Sequence, residues 1–472
     1  MWAFLAALLL AALVAAASAA GDTAPPADEL DGRLQAVVDG LTRDVFVGAG
    51  LSGEPEAFYV PGAALSVSLP GDATRTYVSG LANVAVGDIV EADAVQPIGS
   101  GTKPMTAALV IRLVLKGRLR LGEELADAAQ AHQRDGGRLA GLVGRFRHRL
   151  RGVTIRDLLA MTSGLRDYDD DPSYARAFSR APKAPRSLRR LAAFGLARSR
   201  LFAPGANGRS YYSNTNYVLL GMLVEAVTGR RYADALDRLL RGAGLDSTSY
   251  GWPSATRVGG YANPLPDGGP ALLDRYRKAF APAPTVTSAV DPAGVRVVSS
   301  DPRAERPTVG VGAPSAQQEK QYGGPANVAL QDLGHAYSVR GAGASAGAVV
   351  SNTQDLAHFW RALFSGELLG KRGLGLIKES VPGDPGSVGV RNYFTLGLAR
   401  QDVAAGAFWP GSPKLRIYMK LGDIWGYTSA SYYVEGPAPY GGVVVANTTN
   451  LFPSPVGDLG VLRGTLQAIG GV

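Results

Sequence analysis

The chain of 472 residues contains no cysteine. That excludes disulfides, thiolate metal sites, a cysteine nucleophile and lipidation on a cysteine, so packing must hold the fold together. Histidine is scarce as well. His132, His148, His335 and His358 form no metal-ligand pair, so no metal is expected and all four read as structural or surface residues. No basic run is interleaved with aromatic residues. The formal net charge of +8 therefore implies a general attraction to acidic surfaces and not nucleic-acid binding. Beyond the first 20 residues no stretch is apolar enough to cross a bilayer. Those first residues, MWAFLAALLLAALVAAASAA, are apolar and end in Ala17-Ser18-Ala19, which reads as a secretory signal over 1–19. The mature protein, 20–472, would be secreted or periplasmic, the alternative being an uncleaved membrane anchor.

With 46% hydrophobic and 19% charged residues, the chain can bury a full core as one large or two intimately joined domains. Leu30, Leu34, Val38 and Leu41 share one helical face within 28–45, and Ala108, Ile111, Val114 and Leu115 do so within 104–116, where Gly117 ends the run. Segments 63–69 and 74–81 read as two strands about the turn Pro70-Gly71-Asp72. From 119 to 251 the period stays near that of a helix, and 252–340 is rich in Pro, Gly, Ala and Ser and reads as long surface loops. After a helix over 353–364, strand-like runs return at 393–399, 415–420, 428–434 and 442–446, and a helical pattern over 456–469 closes the chain. Strands at both ends around a helical insertion predict an α+β fold. One antiparallel sheet is flanked by terminal helices, with an all-helical lobe about 119–251 and a loop-rich insertion about 252–340. A pocket is expected where lobe and sheet meet.

Ser100-Gly101-Thr102-Lys103 places a serine three residues before a lysine, on one face of a helix. A helix amino end beside Ser100 would favour an oxyanion and a neutral Lys103. Alone, such a pair occurs by chance about once in a chain of this length. Its ordered companions are Tyr212-Ser213-Asn214 in a polar turn before a helix, and Lys420-Leu421-Gly422 at a strand end before Gly426-Tyr427-Thr428-Ser429. A serine hydroxyl needs a base within hydrogen-bond reach, which Lys103 supplies if its surroundings lower its pKa, and Tyr212 can relay a proton to the leaving group. Asn214 would bind a substrate amide and Lys420 would hold positive charge near Tyr212.

These elements resemble the S-x-x-K, Y-x-N and K-T-G boxes of penicillin-binding proteins and serine β-lactamases. The resemblance continues through Thr162-Ser163-Gly164-Leu165, Ser345-Ala346-Gly347, Thr353-Gln354-Asp355-Leu356 and Ala446-Asn447-Thr448. It is strongest to secreted serine D-alanyl-D-alanine carboxypeptidases of the actinomycete type, related to class C β-lactamases. It implies an acyl-enzyme on Ser100, catalysis by Lys103, Tyr212, Asn214 and Lys420, and an oxyanion hole from the backbone N–H groups of Ser100 and Asp423, without a cofactor or metal. Leu421, Gly422, Asp423, Trp425 and Arg400 are the expected substrate contacts.

The sequence departs from that family where the terminal carboxylate of D-alanine would be gripped. Leu421 replaces the threonine of the box, and Ala399 stands where an arginine is expected on the preceding strand. Arg400 is adjacent but should face the other way, and Asp423 adds a negative charge that repels an anionic substrate end. The expectation is an ester or amide hydrolase for small or D-configured acyl groups, taking small-molecule or peptidoglycan-derived substrates and β-lactams as ligands. The alternatives are a D-alanyl-D-alanine carboxypeptidase, a β-lactamase, or a non-hydrolytic penicillin-binding sensor. Gly343-Ala344-Ser345-Ala346-Gly347 also satisfies G-x-S-x-G. That elbow needs a later histidine returning from a distant loop, and His358 is only thirteen residues on, in a helical stretch.

Overall fold

The computed structural model describes residues 27–43, 45–49, 55–84, 87–252, 258–262, 285–291, 294–299, 327–334, 336–385, 390–452 and 459–472. The expected export signal and His335 lie outside them. The largest sheet among these residues has nine strands. In chain order they are β1 (Gly62–Ser68), β2 (Arg75–Asn83), β3 (Asp88–Ile89), β4 (Ser380–Pro385), β5 (Val390–Thr395), β6 (Ala399–Val403), β7 (Leu415–Ile424), β8 (Tyr427–Glu435) and β9 (Val444–Thr449). Their spatial order is β4-β5-β6-β7-β8-β9-β1-β2-β3, with antiparallel neighbours throughout. The turn between β1 and β2 closes as expected: Gly71 takes a φ of 76° and the Asp72 N–H donates to Leu69 O at 3.2 Å.

Helices cover both faces of this sheet. On one side α1 (Ala27–Arg43) buries Leu30, Leu34, Val38 and Leu41, and packs beside the final helix, Gly460–Gly470. On the other side lie α2 (Lys103–Leu115), α3 (Asn214–Thr228), α4 (Val339–Gly347) and α5 (Thr353–Phe364). β1 lies between α1 and α5, so all seven of its residues are buried and the sequence shows no alternation. Each face has its own hydrophobic core, the terminal-helix core around Leu34, Leu65, Tyr432 and Leu466 and the lobe core around Ile111, Leu158, Leu219 and Trp360. The lobe's central helix, α3, buries most of its surface, as an apolar helix without an exposed face must.

Two segments differ from their sequence reading. Within 252–340, taken as loops, strands Tyr261–Ala262, Thr285–Asp291, Gly294–Ser299 and Asn327–Asp332 form a separate four-stranded sheet. The run Thr285-Val286-Thr287-Ser288-Ala289-Val290 is rich in small and polar residues, so its alternation has little contrast. Most of the rest of that insertion lies outside the described residues. The run 393–399 is not one strand but two strand ends around a tight turn. Gly397 has a φ of 116° there, and a Cβ on it would come within 2.5 Å of Ala107 Cβ on α2. Only glycine lets the backbone of this hairpin turn pass that close to the helix that follows Ser100.

Candidate active site

Ser100 lies in a 3-10 turn, Gly99–Thr102, that runs directly into α2, with Lys103 as the first residue of that helix. Pro104 sits in the first turn, where its missing N–H costs nothing. Lys103 is fully buried, and its Nζ lies 2.8 Å from Ser100 Oγ, 2.6 Å from Asn214 Oδ1 and 2.9 Å from Ala346 O at the end of α4. The Tyr212 hydroxyl donates to Ser100 Oγ at 2.6 Å. Burial, reinforced by repulsion from Lys420, outweighs the attraction of Asp167 and Asp169 and holds the Lys103 pKa well below the ordinary lysine value. Burial raises the Tyr212 pKa well above that of a free phenol. Both shifts favour the uncharged forms of the two groups.

The amino end of α3 is built by the loop after Thr162-Ser163-Gly164-Leu165. Asp167 Oδ2 accepts from the Asn214 backbone N–H and from its Nδ2, both at 2.9 Å, and Asp169 Oδ2 accepts from the same Nδ2 at 3.0 Å. A carboxylate is well placed on the unsatisfied N–H groups of a helix start. The loop is fixed from behind: Ser213 Oγ and Thr215 Oγ1 donate to Arg166 O, and Ser163 Oγ donates to Asn216 Oδ1 at 2.7 Å. Burial pushes Asp167 up to about 6. Burial and the nearby Asp167 push Asp169 well above the usual carboxylate range. Sequence reasoning missed both residues. Their signal was available in the acidic run Asp167-Tyr168-Asp169-Asp170-Asp171, which directly follows a segment that carries the family resemblance.

β7 supplies the third wall. Lys420 Nζ donates to Leu421 O at 2.7 Å and lies 5.0 Å from the Tyr212 ring centre, and burial lowers its pKa to about 8. Asp423 accepts from Thr428 Oγ1 at 3.1 Å, and Trp425 packs edge-on against Phe452 at 5.8 Å. A cleft of about 430 Å³ opens between lobe and sheet, with Ser100, Asn214, Asp169, Asp170, Asp423 and Trp425 in its lining. Of the other three expected contacts, Gly422 lies against the Ser100 turn and two lie elsewhere. Leu421 is half-buried against the terminal-helix core. Arg400 pairs opposite Tyr418, donates to Ser380 and Asp402, and lies 3.9 Å from the Tyr393 ring centre. Ala399 pairs opposite Met419 and shares the face of Leu421, whereas Arg400 shares the face of Tyr418 and Lys420, so the expectation that Arg400 faces away from the site is corrected by the register.

Gly422 joins the walls. A Cβ there would stand 2.0 Å from Ile98 O and 2.5 Å from Gly101 N, so only glycine lets β7 lie against the Ser100 turn. Gly422→Ala must push the two apart. Its acylation rate is expected to fall on the order of 100-fold, as displacements of about 1 Å at reacting groups do. The rate of Ser100 labelling, compared with far-UV circular dichroism and melting of the same variant, checks this.

The competing elbow motif is inside the core. Ser345 is fully buried, donates to Tyr217 O at 2.9 Å and fills the space left by Gly221 on α3. The strained residue of the motif is Ala344, with a φ of 45°, rather than the serine. Among the described residues no group of three or more His, Asp or Glu side chains is arranged to hold a metal ion.

Residues 54–465 match the model of the Beta-lactamase family. A curated relative, penicillin-binding protein 4 of Amycolatopsis lactamdurans, is 36% identical over 194 residues, covering 40% of this chain and 44% of that protein. The chain thus matches less than half the length of that relative. Among solved structures, the D-amino acid amidase of Ochrobactrum anthropi SV3 in complex with D-phenylalanine superposes with a TM-score of 0.63 at 21% identity, covering 94% of this chain and all of that one. A D-stereospecific amidohydrolase from Streptomyces sp. gives 0.58 at 22% identity, covering 93% and 98%. At these identities the structural likeness speaks for the fold alone.

Proposed function

Since the chain belongs to the Beta-lactamase family of serine hydrolases, we propose that it acts through an acyl-enzyme on Ser100, cleaving an ester or amide with a small or D-configured acyl group. The observation that carries this reading is the surroundings of Lys103 Nζ. Two of its three neighbours, Asn214 Oδ1 and Ala346 O, can only accept hydrogen bonds. A neutral amine spends its two N–H groups on them and turns its lone pair to the third neighbour, the Ser100 hydroxyl.

The chemistry then follows atom by atom. Lys103 takes the Ser100 proton as Oγ bonds to the substrate carbonyl carbon. The Ser100 and Asp423 backbone N–H groups hold the resulting oxyanion. Tyr212 gives its proton to the departing nitrogen or oxygen and recovers one from the Lys103 ammonium. Water, deprotonated by the same groups, then releases the acyl product. The cation of Lys420 beside Tyr212 stabilises negative charge that develops there.

Similarity to a D-stereospecific amidohydrolase and a D-amino acid amidase supports a D-configured acyl group. The partial match to a penicillin-binding protein supports β-lactams as ligands and D-alanyl peptides as the second substrate class. Export of the protein, read from its first residues, belongs to the same proposal. Finding the chain in the culture medium, beginning near Ala20, checks it.

Substrates with a neutral or cationic group facing Asp423 are expected to be turned over better than those ending in a carboxylate. The difference should be about 1–3 kcal/mol, the size of hydrogen bonds to charged groups. Asp423→Asn should narrow that preference. Efficient release of terminal D-alanine that Arg400→Ala abolishes would make Arg400 the anchor and sink this specificity. The direct test of the function is intact-mass spectrometry after exposure to a fluorescent penicillin, followed by turnover of short esters, D-amino acid amides and D-alanyl peptides. One label on Ser100 with turnover of at least one substrate supports a hydrolase. A trapped label without turnover supports a sensor, and no label on Ser100 overturns the reading.

A further inference from the structure

The Asn214 amide has a definite orientation. Asp167 and Asp169 present carboxylate oxygens, which accept from the amide nitrogen, and Lys103 Nζ has an N–H to give to the amide oxygen. Oδ1 therefore faces Lys103 at 2.6 Å, and Nδ2 faces the two carboxylates at 2.9 and 3.0 Å. A primary amide has two N–H groups, and both are taken. Asn214 lines the cleft, yet it has no hydrogen left to offer a substrate carbonyl. The expectation that it binds a substrate amide requires displacing one of these acceptors, the buried Asp167 or the half-buried Asp169 that lines the same cleft.

We infer that Asp167 and Asp169 are positioning residues that act through Asn214, fixing its Oδ1 on Lys103 and withdrawing its amide from substrate recognition. The inference rests on the acyl-enzyme reading above. Asp167 does double work, since the oxygen that holds Nδ2 also takes the first backbone N–H of α3. The side chain of Asp169 hydrogen-bonds only Asn214 while its charge also acts on Lys103, so it is the residue to vary, by two changes that both remove the charge. An asparagine in its place keeps an acceptor oxygen of the same reach. A leucine removes it and frees the amide to turn.

The experiment compares two esters, p-nitrophenyl acetate and the p-nitrophenyl ester of N-acetylglycine, which differ by one acylamido group. In Asn214→Ala the kcat/KM of both is expected to fall at least about tenfold. Their ratio should stay within about twofold of wild type, because the lost group touched Lys103 and not the substrate. Asp169→Asn should keep kcat within a few-fold, and Asp169→Leu should lower kcat about tenfold or more on both esters with KM little changed. A selective loss on the acylamido ester in Asn214→Ala would show that Asn214 does donate to substrate, and would overturn the inference. Equal loss in Asp169→Asn and Asp169→Leu, with unchanged melting, would remove the acceptor from the argument. Failure of the wild type to acylate Ser100 with either ester would instead strike the function proposed above.

Discussion

Ser100→Ala is expected to abolish covalent labelling and to lower turnover by about 10⁴-fold or more, while the protein melts as the wild type does. The size follows from the chemistry: with no oxygen to acylate, only binding and any oxyanion contacts remain, and these alone recover little of the rate. The unchanged fold follows from the structure. Ser100 is half-exposed, caps no helix with its side chain, and bonds only Lys103 and Tyr212 through its Oγ. Ser345→Ala is the matching control. It removes one buried hydrogen bond, to Tyr217 O, and should cost about 1 kcal/mol of stability with turnover retained. The opposite pattern, turnover lost at Ser345 and kept at Ser100, would return the nucleophile to the G-x-S-x-G motif.

The groups around Ser100 were legible because the chemistry constrains both their kinds and their order along the chain. Lys103, Tyr212 and Lys420 come from a helix start, a turn and a strand, and these three elements have clear local patterns. The sheet was legible for the same reason at β1, β8 and β9, whose apolar runs are bounded by glycine, proline or acidic turns. What stayed hidden depends on contacts between distant segments. Nothing near Gly397 in the chain announces that α2 passes 2.5 Å from where its Cβ would be, so the turn between β5 and β6 was read as continuous strand. Asp167 and Asp169 stand in an acidic run, 167–171, whose pattern alone does not distinguish an internal contact from a solvated surface. Their function appears only once the loop folds over the start of α3 and brings them to the Asn214 amide. Arg400 was doubtful in sequence, and its position was settled by the pairing of β6 with β7, which sets it opposite Tyr418 on the face away from Leu421.

Lys103→Ala should cost several orders of magnitude in acylation, and the pH profile of the wild type shows why the loss differs from that of a missing contact. In the mechanism proposed above Lys103 works as a neutral amine, so kcat/KM is expected to rise as pH passes its depressed pKa and the ammonium disappears. Lys420 works as a cation with a pKa of about 8, so its charge is present below that pH and lost above it. The wild type is therefore expected to give a bell whose alkaline limb lies near 8, well below the ordinary lysine value. Lys420→Ala should flatten that limb and, by removing the repulsion that helps depress Lys103, move the acid limb to higher pH. Lys103→Arg then separates base from charge. Guanidinium keeps the cation but cannot give up its proton at any working pH, so it should be as inactive as alanine. Removing Lys103 also leaves Asn214 Oδ1 and Ala346 O without their donor, a cost of about 1–3 kcal/mol for each buried acceptor, so both variants must be assayed below their melting temperatures. Substantial activity in folded Lys103→Arg would show that Lys103 supplies field and not proton transfer. The base would then have to be Tyr212 as phenolate, against the direction in which burial moves its pKa.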